Sequence, residues 1–146
     1  MPNLVYTEMV LSEVLRVRPP AYALGRLSVR ETPLGAYTVP PNSLALMSQY
    51  VMHHDSRYYD DPDEFRPERW AGDTRGNRPQ FAYFPFGGGA RRCIGDGFAW
   101  TEAILILATL AARWRMRVAP DFTPELQPRI TLRPKHGIPV TLYARS

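Results

Sequence analysis

Phe86-Gly87-Gly88-Gly89-Ala90-Arg91-Arg92-Cys93-Ile94-Gly95 is the stretch that decides the fold of this chain. It sets the only cysteine behind a glycine-rich bend and at the mouth of an apolar run, about Gly95 to Arg113, that predicts a helix. The first N–H groups of a helix have no partner within it and carry a partial positive charge, which favours thiolate over thiol. Glycines let the backbone bend sharply and come close to a flat ligand. Arg91, two residues before the cysteine, carries a planar fork of donors that matches a carboxylate. Thiolate, close backbone and carboxylate clamp together suit a haem with Cys93 as axial ligand, a ligation in which thiolate electron density promotes O–O cleavage. A buried structural cysteine beside a turn is the commoner fate of a lone Cys, but it leaves the surrounding residues unexplained.

The chain has 146 residues, enough for one compact domain with a sizeable core. Apolar residues make up 45% and charged residues 22%, ordinary globular usage that excludes wholesale disorder. The net charge of +4 comes from arginine, since Lys135 is the only lysine. These arginines are scattered and form no basic stripe interleaved with aromatics, which argues against nucleic-acid binding. One cysteine excludes an internal disulfide framework and any multi-cysteine metal site. Ala103 to Ala112, the most apolar stretch, is too short to cross a bilayer, and no signal-peptide pattern opens the chain.

Prolines punctuate the sequence. Residues about 4 to 17 predict a helix, with Val10, Leu11, Val14 and Leu15 at helical spacing and Pro19-Pro20 ending it. Arg26 to Arg30 and Leu44 to Val51 predict extended segments, separated by turn signals at Pro33-Leu34-Gly35 and Pro40-Pro41-Asn42-Ser43. His53 to Pro85 is rich in Asp, Pro, Arg and aromatics and has no sustained period; loops of that length are functional or held by specific contacts. The Gly95–Arg113 helix is apolar almost all round, which predicts a central, buried position. Trp114 to Val118 and Ile138 to Tyr143 alternate as short β-strands do, and His136-Gly137 turns the chain before the second.

Phe86, Gly89, Arg91, Cys93 and Gly95 fill every fixed position of Phe-x-x-Gly-x-Arg-x-Cys-x-Gly, the haem-binding signature of the cytochromes P-450. Background residue usage gives such a match a chance on the order of 10⁻⁵ in a chain of this size. Further marks follow in that family's order. Glu13-Val14-Leu15-Arg16 resembles its Glu-x-x-Arg helix motif, whose spacing puts both side chains on one face. Pro67-Glu68-Arg69-Trp70 is similar to Pro-Glu-Arg-Phe, with tryptophan in place of phenylalanine. His53-His54-Asp55 is similar to His-Arg-Asp, with His54 the departure, and surface or structural roles are expected of both histidines. Phe98-Ala99-x-x-Glu102 matches what commonly follows the cysteine.

The resemblance implies an α+β arrangement: the C-terminal portion of the mostly helical cytochrome P-450 fold, spanning residues 1–146, with two main helices, a long ordered cysteine-loop region and short β-strands. It implies haem b as cofactor, with Cys93 the iron ligand, Arg91 a propionate partner, Phe86 shielding the sulfur, and Gly89 and Gly95 completing the loop. Glu13, Arg16 and Arg69 are implied as a buried ion network that holds this loop, and the turn from Ala21 to Arg26 corresponds to a stretch that approaches substrate. The implied activity of the parent protein is insertion of one oxygen atom from O2 into a small lipophilic organic substrate, with electrons from a redox partner. Arg91, Arg92, Arg113, Arg115 and Arg117 point to a basic side that steers an acidic ferredoxin or flavodoxin-like donor. In the family, an acidic residue beside a threonine guides protons to oxygen from a helix upstream of the Glu-x-x-Arg motif, and no such segment precedes Glu13. No catalytic residue is therefore expected here, the isolated chain is expected to be inactive, and a cytoplasmic location is expected. The alternatives are a non-catalytic haem-binding or partner-binding remnant that complements a separate N-terminal part, and a structural domain without haem.

Overall fold

A helix that turns polar side chains inward begins the fold. In the computed structural model, which describes residues 3–72 and 78–145, helix α1 (Val5–Val17) ends just before Pro19 and Pro20. It buries Ser12, Glu13, Arg16 and Val17, while Val14 from the expected apolar stripe stays exposed. The elements packed on α1 offer hydrogen-bond partners that make burial of a carboxylate and a guanidinium tolerable.

Strand β1 (Leu24–Leu27) pairs antiparallel with β4 (Leu44–Met47), from Leu24↔Met47 to Leu27↔Leu44. Between them β2 (Thr32–Leu34) and β3 (Tyr37–Val39) form a hairpin that turns through Gly35 at φ 59°. The segment expected to stay extended to Val51 instead breaks at Ser48. Its Oγ accepts the Val51 N–H at 3.2 Å and caps a short helix, α2 (Gln49–His53). β1 begins opposite Met47, so beyond that point the backbone finds its hydrogen bonds within a helix.

The described residues between His53 and Pro85 are mostly irregular, with a 3₁₀ turn at Pro67–Trp70 packed against α1. Residues 73–77 of that expected loop lie outside the described residues. A second 3₁₀ turn, Gly89–Arg91, leads into α3 (Asp96–Arg113). Strand β5 (Trp114–Val118) then pairs with β8 (Val140–Ala144), with the β6 (Leu126–Pro128) and β7 (Leu132–Pro134) hairpin between them in sequence. Helices and short antiparallel strand pairs together make an α+β mix.

The expectation of a central, buried α3 is not met within this chain. Of its side chains only Ile104 is buried, while Phe98, Leu105, Ile106 and Leu110 are exposed. A helix that is apolar all round has several faces to cover, and the element α3 packs on most before running into β5 is α1. Among the described residues buried apolar side chains are correspondingly few: Val17, Tyr59, Trp70, Ala82 and Ile104. Among the described residues no helix is long and apolar enough to cross a membrane.

Candidate functional site

Charges from three parts of the sequence converge on Glu13, which is wholly buried. Its Oε1 accepts from Arg16 Nη2 at 2.8 Å, from the Arg66 N–H at 2.9 Å and from Arg69 Nε at 2.9 Å. Its Oε2 accepts from Arg16 Nε at 2.9 Å and from Trp70 Nε1 at 2.8 Å. Arg16 gives its remaining hydrogens to the carbonyl oxygens of His53 (2.8 Å), Pro62 (2.6 Å) and Glu64 (3.0 Å). Arg69 also reaches the carbonyl of Asp60 at 3.0 Å. One carboxylate thus faces two guanidiniums, and carbonyl dipoles take up the excess positive charge. Burial opposes ionisation of Glu13. Hydrogen bonds from Arg16, the Arg66 amide and Trp70, together with the Arg16 charge, outweigh burial and hold the carboxyl below its usual range.

Two members of this cluster escaped the sequence analysis. Trp70 supplies an N–H that the usual phenylalanine lacks, so the departure from the family pattern adds a donor to the carboxylate. Arg78 lays its guanidinium over the rings of Trp70 at 4.5 Å and Tyr59 at 5.2 Å and donates to the Arg69 carbonyl at 3.1 Å. A lone arginine in an aperiodic loop gives no sign in sequence that it will stack.

Glycines shape the loop from Phe86 to Gly95 in two ways. Gly87 (φ 73°) and Gly89 (φ 68°) take the left-handed conformation that side chains disfavour. Gly88 is extended, but a Cβ there would collide with the Phe81 ring. Backbone hydrogen bonds then close the loop: Gly87 N–H to Phe84 O at 2.9 Å, Arg92 N–H to Gly89 O at 3.1 Å, and Cys93 N–H to Phe86 O at 3.0 Å. Cys93 is exposed and free, two residues ahead of Gly95, which caps α3. A Cβ on Gly95 would lie 3.9 Å from the Cys93 Sγ. Phe86 sets its ring 6.2 Å from that of Trp100 and meets Cys93 through its backbone carbonyl. Ile94 and Phe98, next to the thiol in sequence, are open to solvent at 104% and 72% exposure.

Gly88 and Gly89 also line a cavity of about 670 Å³, walled by Leu24, Leu46, Met47, Phe81 and Phe84, with Arg26 its one charged side chain. That volume lies within the roughly 300–1,000 Å³ of small-molecule and cofactor sites. Arg26 closes the turn from Ala21 that the family resemblance places near substrate, and it puts a charge within the apolar strand β1. These features fit a flat macrocycle with carboxylate arms. The thiol is reachable, the backbone at Gly89 is so open that a Cβ there would meet nothing within 4 Å, the adjoining walls are apolar, and Arg91, two residues on from Gly89, is exposed.

The basic side expected from five arginines divides in two. Arg92 is paired with Asp96, leaving Arg91 beside the cysteine. Arg113, Arg115 and Arg117 lie at and beyond the far end of α3, whose 18 residues span about 27 Å at ~1.5 Å each. There Arg115 and Arg117 line, with Tyr143 and Arg145, a separate groove of about 450 Å³.

A profile of the cytochrome P-450 family matches residues 1–140. The chain belongs to the cytochrome P-450 family. Cyclooctatin synthase of Streptomyces melanosporofaciens is 44% identical over 141 residues, covering 95% of this chain and 31% of the relative. Cyclooctat-9-en-7-ol 5-monooxygenase of the same organism is 44% identical over 123 residues, covering 84% of this chain and 27% of the relative. A cyanobacterial cytochrome P-450 solved with retinoic acid bound superposes with a TM-score of 0.88 at 33% identity, over 96% of this chain and 32% of that one. The chain therefore spans 27–32% of the length of these cytochromes P-450. The cofactor of the family is haem b on a cysteine thiolate, and this chain has a single cysteine.

Proposed function

We propose that Cys93 is the thiolate ligand of haem iron in the C-terminal, haem-binding portion of a monooxygenase that inserts one oxygen atom from O2 into a small lipophilic organic substrate. The observation that carries this reading is the exposed thiol of the sole cysteine, its amide pinned to Phe86 at 3.0 Å across a glycine turn that borders an apolar cavity. When bound, haem supplies the oxygen chemistry, and thiolate electron density promotes O–O cleavage. The chain supplies position. Gly87 and Gly89 would let the backbone come close to the macrocycle, Arg91 and Arg26 would take its propionates, and Phe86 would shield the sulfur. Glu13, Arg16 and Arg69 fix the loop that precedes these groups. Leu24, Leu46, Met47 and Phe84 give the cavity apolar walls, which favour a substrate that is largely hydrocarbon.

The relatives' names and the bound retinoic acid point the same way, toward cyclic, mostly apolar molecules carrying few oxygens. A soluble acidic donor, a ferredoxin or flavodoxin-like protein in the cytoplasm, fits an approach guided by Arg91. Cys93→Ala in the protein that carries this chain tests the central assignment. Reduced, carbon-monoxide-bound protein should show the red-shifted Soret band of thiolate-ligated haem, and the variant should lack it. An unchanged band would refute the assignment.

A further inference from the structure

His53 ends α2 wholly buried, and both its backbone and its ring are engaged. Its carbonyl oxygen accepts Arg16 Nη1 at 2.8 Å, which ties it to the Glu13 network. Its Nε2 faces the backbone N–H of Phe84 at 3.0 Å. That N–H belongs to no helix or strand, and left unpaired in a partly buried loop it would be costly. The Phe84 carbonyl then accepts the Gly87 N–H at 2.9 Å, and the Phe86 carbonyl accepts the Cys93 N–H at 3.0 Å. Hydrogen bonds and short lengths of chain therefore run without a break from Glu13 through Arg16, His53, Phe84 and Phe86 to the amide of Cys93. Tyr83 runs beside this path, with its ring 5.1 Å from His53 and its hydroxyl donating to the Ser12 carbonyl at 3.1 Å.

We propose that His53 is a positioning residue: as a neutral ring protonated on Nδ1, it accepts the Phe84 N–H on Nε2 and so transmits the geometry of the Glu13 network to the cysteine loop. The role rests on the reading of Cys93 as haem ligand, while the hydrogen bond itself does not. Only an unprotonated Nε2 can accept, so the tautomer is fixed by the contact. The surroundings favour the neutral ring. Burial above all pushes the His53 pKa down to about 4, the Arg16 and His54 charges act in the same direction, and the carbonyls of Leu15 and Arg16 oppose them. No hydrogen bond closes on Nδ1, so the ring is held through Nε2.

The wild-type holoprotein supplies the first test. In the diamagnetic ferrous carbon-monoxide complex with ¹⁵N-labelled histidine, His53 should show the Nδ1–H tautomer at neutral pH. An Nε2–H tautomer overturns the proposal. The second test compares His53→Phe, which keeps a ring and removes the acceptor, with His53→Gln, which restores an acceptor oxygen near the Nε2 position. Amide hydrogen exchange in the segment 84–93 should quicken about 2- to 10-fold in the phenylalanine variant, the equilibrium worth of one hydrogen bond. It should return toward wild type with glutamine, while exchange in the β5–β8 pair stays constant. Unchanged exchange in 84–93, or a glutamine variant as fast as the phenylalanine one, also overturns it. If the phenylalanine variant does not fold, the wild-type tautomer decides. A Soret band unaffected by Cys93→Ala would refute the ligand assignment and leave the tautomer and exchange results standing.

Discussion

Replacing Glu13 by glutamine removes one charge and almost no volume, which isolates the part the carboxylate plays. In the native chain Glu13 receives hydrogen bonds on both oxygens from Arg16, the Arg66 amide, Arg69 and Trp70. A glutamine keeps one acceptor oxygen but turns an N–H2 group toward donors, and it leaves Arg16 and Arg69 with 0% and 4% of their side chains exposed and no anion between them. Breaking a buried pair in this way costs about 3–5 kcal/mol. Against a total stability of about 5–15 kcal/mol, that is a large share. The urea midpoint and the melting temperature should both fall. Urea and thermal unfolding of the holoprotein, with haem content measured in parallel, would read the change. Arg69→Gln should cost much less in the Glu13→Gln background than alone, because the orphaned cation is then removed. The pH dependence has a definite sign. The folded carboxyl is held below its unfolded value of 4.5, so its contribution is fully present above that pH and is lost as pH falls through the folded pKa. The gap between wild type and variant should therefore narrow in acid. A Glu13→Gln protein within about 1 kcal/mol of wild type, or strictly additive losses with Arg69→Gln, would refute the account of a coupled buried network.

Trp70→Phe should retain most of the packing but lose one hydrogen bond to a carboxylate, costing about 1.5–3 kcal/mol in urea unfolding. His53 is kept neutral in the fold, with its pKa lowered from 6.5 to about 4, so stability should drop by about 3 kcal/mol as pH falls from 6.5 to 4. His53→Gln should lack that component of the acid sensitivity, measured by melting temperature against pH. Gly88→Ala places a methyl against the Phe81 ring and should cost about 1–3 kcal/mol, visible as a lowered melting temperature together with reduced haem retention.

How much of this was legible in sequence depended on the range of the interaction. Glu13 and Arg16 could be paired in advance because three residues of helix put them on one face, and the β5 and β8 strands because alternation repeats within five residues. The Arg69 partner was legible only through a family resemblance, since its contact with Glu13 spans 56 residues. Ser48 went unread because its capping action is visible only once β1 is known to begin opposite Met47. The β2–β3 and β6–β7 pairs are three residues to a strand, too short for a period to show. Most of all, a helical pattern of Val10, Leu11, Val14 and Leu15 could not reveal that the inward face of α1 is polar. That face is set by the carbonyls and donors of residues 53–70, which arrive from a loop with no pattern of its own.

The polar interior has a physical rationale. Apolar packing is non-directional and tolerates small shifts, and the buried apolar side chains near the loop are few. A loop that holds a thiol in one place, the role proposed for the segment before Cys93, needs contacts that fail when displaced by an ångström. Charge-assisted hydrogen bonds have that property, and they cluster here. Arg16 fixes three carbonyls of the 53–64 segment, Glu13 fixes Arg66, Arg69 and Trp70, and His53 passes the constraint to Phe84. Because buried ion pairs contribute little net stability, their concentration beneath a functional loop is better explained by the geometry they impose than by the free energy they add. The glycines complete the logic from the other side. Gly87 and Gly89 make the final bend conformationally permissive, so the hydrogen bonds accepted by the Phe84 and Phe86 carbonyls, rather than the turn itself, determine where Cys93 stands.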